Sequence, residues 1–216
     1  MKFFNQTSCT MGIAVLFVSC SVFVNKKPIP SLPPRTEPPR PVFASSIVYV
    51  SPFASRASLA KSYAIDKGFS TTYCFFVDMT IHSGRKRFFV YDLEQNIVVT
   101  SGLVSHGNCK EGFLEQAKFS NVPGCGCSSL GRYKIGQKYR GQYGQSYKLY
   151  GLESTNSNAY KRAVVLHGIS CVPDQEIYPQ AVCNSFGCAM VSSAFFERLA
   201  LIIDRSKKPI MLWMYN

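Results

Sequence analysis

Short apolar and aromatic runs alternate with glycine-bearing joints from Thr72 to Tyr215, and that rhythm limits the chain to a mainly β fold. The runs are Thr72–Met79, Arg87–Leu93, Ile97–Val104, Leu130–Ile135, Tyr147–Leu152, Ala163–His167 and Pro209–Tyr215. Each is shorter than a self-sustaining helix, and each carries β-branched or aromatic side chains that suit a pleated surface. Two segments break the pattern with helical spacing. Ser55–Lys67 places Leu59, Ala60, Tyr63 and Ala64 on one face, with Ser55 or Ser58 as a cap and Gly68 as a stop. Ser192–Asp204 groups Phe195, Leu199, Ile202 and Ile203. The expected architecture is a β-sandwich or barrel-like domain with one or two helices.

The N-terminal part is organised differently. Lys2 precedes the apolar run Met11–Val18, the pattern of an export signal over 1–24. The apolar stretch to Val24 is short for a membrane span. Phe17-Val18-Ser19-Cys20 resembles a lipoprotein signal with Cys20 as the lipidated residue; a plain cleaved signal and a retained anchor remain open. Either way the expected location is the periplasm or cell envelope, with membrane attachment through the N-terminus in two of the three cases. Residues 26–41 hold seven prolines, which favour extended polyproline II, so 25–43 reads as a semi-rigid tether. A helical lead-in over 44–68 then precedes the main folded domain over 69–216.

The formal charge is +12, and residues 41–216 still carry +8, from 19 basic and 11 acidic side chains. Such a surface suits a polyanion or simply keeps the domain soluble. An anionic cell envelope fits the export signal. No Arg-rich run, recognition-helix pattern or zinc-finger spacing supports nucleic acid.

His167-Gly168 and Ser185-Phe186-Gly187-Cys188 carry the chemistry. A lone Cys is more often a small buried apolar residue, and a lone His is more often structural. Here the imidazole ends an apolar strand-like run, seventeen residues separate His167 from Ser185, and the thiol follows Gly187 directly. An imidazole is the usual means of making a thiolate near neutral pH. Glycine before the thiol lets a carbonyl approach, and the N–H groups of Gly187 and Cys188 could serve an oxyanion. The residues therefore argue acyl transfer through a cysteine thioester, with no cofactor. Ser185 bonds the His167 or substrate backbone, or is a turn residue. His106 lines the site or finishes a turn, and His82 sits in a polar turn.

Nine cysteines are present. Beyond Cys9 and Cys20, seven remain, an odd count that leaves one free thiol and up to three disulfides. Cys188 is the choice for the free thiol. A bridge between Cys171 and Cys183 would brace the loop between His167 and Cys188. Cys125-Gly126-Cys127 offers two thiolates at unusual spacing with no His cluster, a weak zinc signal, so no metal is expected.

The chain resembles the murein L,D-transpeptidase catalytic domain family, whose signature is a His, a loop, then Ser/Thr-x-Gly-Cys. Phe88–Leu93, Val104-Ser105-His106-Gly107, Phe119–Gly124, Ser128–Tyr133, Tyr147–Leu152 and Asn156–Ala159 follow in the family's order, so the likeness covers about Phe69 to Asn216. Phe186 stands where many members have His, and Met190 where many have Arg or Asn; Asn184 is a substitute for that polar contact. The resemblance implies the same mainly β fold. It implies that His167, oriented by the Gly168 carbonyl, activates Cys188 toward peptidoglycan stem peptides, and that 3→3 cross-links form. Hydrolysis of the same thioester, an L,D-carboxypeptidase activity, and a non-catalytic envelope-binding module are the alternatives.

Overall fold

The computed structural model describes residues 53–216. The expected signal over 1–24, with Cys20, and the tether over 25–43 lie outside the described residues. Eight strands and two helices are described: α1 (Ala54–Lys67), β1 (Tyr73–Asp78), β2 (Phe88–Asp92), β3 (Ile97–Gly102), β4 (Gly131–Gly141), β5 (Gly144–Gly151), β6 (Val165–Gly168), β7 (Ala189–Val191), α2 (Ser193–Arg205) and β8 (Met211–Tyr215). The strands form one mixed sheet in the order β3-β2-β1-β8-β4-β5-β6-β7. Beyond the end of β3, Val104 bridges to Val191 on β7, so the two edges of the sheet meet at one end. The mainly β expectation is met, by a single sheet curled toward closure. No described helix is long and apolar enough to cross a membrane.

The central strands show why their sequences run apolar without a break. On β1, Phe75 and Val77 enter the main core while Cys74 and Phe76 enter a second core on the other face. The same alternation divides Phe88 and Val90 from Phe89 and Tyr91 on β2. Successive strand side chains point to opposite faces, so a strand covered on both sides needs apolar residues at every position. α1 covers the second face with Ala57, Ala60 and Ala64, small residues that let the helix sit close. α2 fills the inside of the curl with Phe195, Phe196, Leu199 and Ala200.

Local signals explain the helix ends, with one correction. Gly68 adopts a left-handed conformation and stops α1, as its position predicts. Neither Ser55 nor Ser58 caps that helix; it begins after Phe53, whose ring packs on Phe76, Phe89 and Tyr91. Burial of that ring fixes the start more strongly than a hydroxyl cap would. At α2 the Ser192 hydroxyl accepts from the Phe195 N–H. β6 starts at Val165, two residues later than the run suggests, because Ala163 has φ 56 and cannot continue an extended strand.

Two disulfides join Cys109 to Cys127 and Cys171 to Cys183. The second is the bridge expected across the loop. The first engages Cys127 and removes the paired-thiolate zinc reading of Cys125 and Cys127. No group of three or more His, Cys, Asp or Glu is arranged to hold a metal among the described residues. Cys74, Cys125 and Cys188 are free, so three thiols remain where the count allowed as few as one.

Candidate active site

The site is built where β6 and β7 run parallel. Leu166 pairs with Ala189 and His167 with Met190. Leu166 and Ala189 point into the main core. His167 therefore faces the opposite side, and so does Cys188, which continues the β7 register opposite Val165. Imidazole and thiol thus sit on one face of adjacent strands, two residues out of step. β7 itself was not anticipated from the sequence. It is three residues long, and it pairs with a strand twenty residues upstream.

Two contacts hold the imidazole. Its Nδ1 lies 3.2 Å from the Gly168 carbonyl oxygen. That oxygen only accepts, so Nδ1 carries the proton and Nε2 keeps its lone pair. The Tyr143 ring, from the turn between β4 and β5, stacks on His167 with centroids 4.5 Å apart. His167 is buried, which lowers its pKa; the Gly168 hydrogen bond opposes the effect. The thiol of Cys188 is pushed up by burial and drawn back by the Val165 main chain and by the Arg162 charge. Both shifts favour a neutral thiol beside a neutral imidazole near pH 7. In that state Nε2 is a free proton acceptor and the thiol a proton donor, the two forms that a general base and a cysteine nucleophile require.

The turn before Cys188 is fixed by Ser185. Its hydroxyl accepts from the Gly187 N–H at 3.0 Å and donates to the Cys188 carbonyl at 2.8 Å. Ser185 thus bonds its own loop rather than His167. The Gly187 N–H is committed to this contact, so of the two N–H groups the sequence singled out it is not free to serve an oxyanion. Gly187 has φ 109, and a Cβ there would lie 2.7 Å from the Cys127 carbonyl oxygen, so glycine is required twice over. Phe186 is 76% exposed at the tip of the turn.

His106 is fully buried with both ring nitrogens engaged. Nδ1 lies 2.9 Å from the Arg87 guanidinium, so it accepts, and Nε2 lies 3.1 Å from the Leu114 carbonyl, so it donates. Burial and the Arg87 charge hold its pKa at about 4. The ring orders the loop behind Ser185, whose N–H bonds the His106 carbonyl. Asn184 clamps the Leu114 main chain rather than the rim. Met190 packs with Leu103, Val172 and Val182, so an apolar side chain occupies that position.

Sequence reasoning missed Arg162. Its guanidinium bonds the main chain of Ser120 and Cys127 and the Ser129 hydroxyl, directly beneath Gly187. A cleft of about 540 Å³ lies between the Tyr143 turn and α2, lined by Tyr143, Gly168, Ser193, Phe196, Glu197 and Asp204 among others; neither His167 nor Cys188 lines it. It is large enough for several residues of an extended peptide.

A family model described as the L,D-transpeptidase catalytic domain matches residues 48–215. Solved L,D-transpeptidase structures also match at low identity. That from Xylanimonas cellulosilytica is 18% identical, covering 71% of this chain and 68% of its own, with a TM-score of 0.37. That from Mycobacterium smegmatis is 12% identical over 67% and 59%, with a TM-score of 0.38. That from Mycobacterium tuberculosis is 11% identical over 67% and 58%, with a TM-score of 0.39. The chain spans 58–68% of the length of these three solved chains. A search of curated proteins returned no match.

Proposed function

The chain belongs to the L,D-transpeptidase catalytic domain family, and on that premise we propose that it is a cysteine acyltransferase that cross-links peptidoglycan stem peptides through a thioester on Cys188. The observation that supports this reading is the Nδ1 contact of His167 with Gly168, which leaves the lone pair on Nε2, on a ring that shares its strand face with Cys188. Nε2 takes the thiol proton as sulfur adds to the amide carbonyl between the L-centre of a diamino acid and the terminal D-Ala. The Cys188 N–H bears on the developing oxyanion. As the C–N bond breaks, the imidazolium returns its proton to the D-Ala nitrogen. The amine of a second stem then attacks the thioester, sulfur leaves, and a 3→3 cross-link results.

In this second half the imidazole takes the proton of the incoming amine and returns it to the departing sulfur. Export of the enzyme through 1–24, attachment at the envelope and a Pro-rich tether over 25–43 belong to the same reading. They would put a basic domain within reach of an anionic polymer.

Product analysis with a tetrapeptide stem and an acceptor amine tests the proposal. The expected product is a cross-linked dimer with release of one D-Ala, abolished in Cys188→Ala and in His167→Ala. Tripeptide alone, with the acceptor in excess, would instead mean hydrolysis of the thioester, a carboxypeptidase. No release of D-Ala from folded protein would leave the chain a binding module.

A further inference from the structure

We propose that Arg162 is a positioning residue for Cys188: a fixed guanidinium that braces the Gly187 turn and supplies the counter-charge when the sulfur ionises. The inference rests on the acyl transfer proposed above. The arginine is half-buried at the end of the loop that leads into β6. Its Nη1 donates to the Ser120 carbonyl at 2.9 Å and to the Ser129 hydroxyl at 3.2 Å, and its Nη2 donates to the Cys127 carbonyl. These acceptors are neutral. None of the ion pairs among the described residues involves Arg162, so its charge is held in place by dipoles without a carboxylate to cancel it.

The contact with the nucleophile's turn is direct. A Cβ on Gly187 would stand 3.0 Å from Arg162 Nη2, so the peptide leading to Cys188 lies against the guanidinium. The next residue, Ala163, is in the left-handed region and turns its carbonyl to the Cys188 sulfur at 3.9 Å. Side chain and main chain of the Arg162-Ala163 pair therefore flank the thiol. The other titratable groups around it are His167 on β6 and Tyr143, stacked on that ring. Met190, packed among apolar side chains, supplies no charge. A unit positive charge beside a half-buried sulfur favours its anion, and the Arg162 fork, spread over three oxygens, cannot easily swing away. Burial raises the thiol, and the Val165 main chain and then the Arg162 charge act against it.

The test is the pH dependence of Cys188 alkylation by iodoacetamide in the full-length chain, read by peptide mass spectrometry so that Cys125 is scored separately. In Arg162→Gln the inflection should move up by about one pH unit, about a tenfold fall in thiolate at a given pH below it. A purely structural role predicts the opposite sign, because a loosened turn admits water and relieves the burial that raises the thiol. Arg162→Lys keeps the charge and should keep the profile. If Arg162→Gln does not fold, the lysine variant carries the test, and an upward move in it overturns the proposal. So does an unmoved or lowered inflection in Arg162→Gln with a reactive wild type. A wild-type Cys188 inert at every pH would overturn the acyl-transfer reading, and this inference with it.

Discussion

Replacing Ser185 by alanine tests how the nucleophile's turn is held. The hydroxyl is 3% exposed at the residue level and serves two main-chain groups at once, the Gly187 N–H and the Cys188 carbonyl. Alanine removes one donor and one acceptor and adds nothing that could replace them. Leaving a buried polar group without a partner costs about 1–3 kcal/mol. The Gly187 N–H is enclosed, so it should bear a cost within that range; the Cys188 carbonyl is nearer solvent and should bear less. The sum is on the order of 2–4 kcal/mol. For a domain of this size that lowers the melting temperature by roughly 5–12 °C. Denaturant unfolding of wild type and Ser185→Ala, followed by circular dichroism, measures the difference. The variant should also lose acylation at Cys188 out of proportion to its stability, because the freed Gly187 peptide can rotate. A stability change below about 0.5 kcal/mol would refute the reasoning, since it would mean that water or a shifted loop satisfies both groups.

Three further outcomes are expected. Gly187→Ala should destabilise by at least about 2 kcal/mol and abolish acylation, because φ 109 and the Cys127 carbonyl at 2.7 Å both exclude a Cβ; wild-type stability and turnover would contradict this. Cys171→Ser with Cys183→Ser should cost about 3 kcal/mol by releasing a loop of twelve residues, measured by denaturant unfolding, and an unchanged midpoint would count against it. Stability should also fall as pH drops from about 6.5 to about 4. The unfolded His106 binds a proton across that window and the buried ring does not, which is worth on the order of 3 kcal/mol. The lowered His167 acts in the same direction. His106→Gln should flatten the part of that slope due to the ring, and an identical slope in the variant would show that it lies elsewhere.

The elements that could be read from the sequence are those whose cause is local. Gly68 stops α1 because a left-handed residue is needed there, and the two-faced burial of β1 is written in its unbroken apolar run. Cys188 and His167 stood out because thiol, imidazole and glycine at that spacing carry few other meanings. What escaped depends on distant contacts. β7 has three residues, too few to display a period, and exists because β6 lies beside it. Ala163 reads as part of a strand until its backbone is bent to present a carbonyl to the thiol. Arg162 has acceptors 33 to 42 residues upstream, so no window of sequence around it signals its place under Gly187. The Ser185 bonds were within reach, since a serine two and three residues from its partners is a common turn device.

The central claim is that Cys188 accepts an acyl group with His167 as its base. A carbapenem presents a strained amide that a competent thiolate opens without leaving-group departure, so intact mass records the event directly. Incubated with the full-length protein, it should add one carbapenem mass to wild type, none to Cys188→Ala, and form at least about a hundredfold more slowly on His167→Ala, the low end of a general base's contribution. A folded wild type with reduced Cys188 and no adduct, or an adduct that persists in Cys188→Ala, would contradict the account.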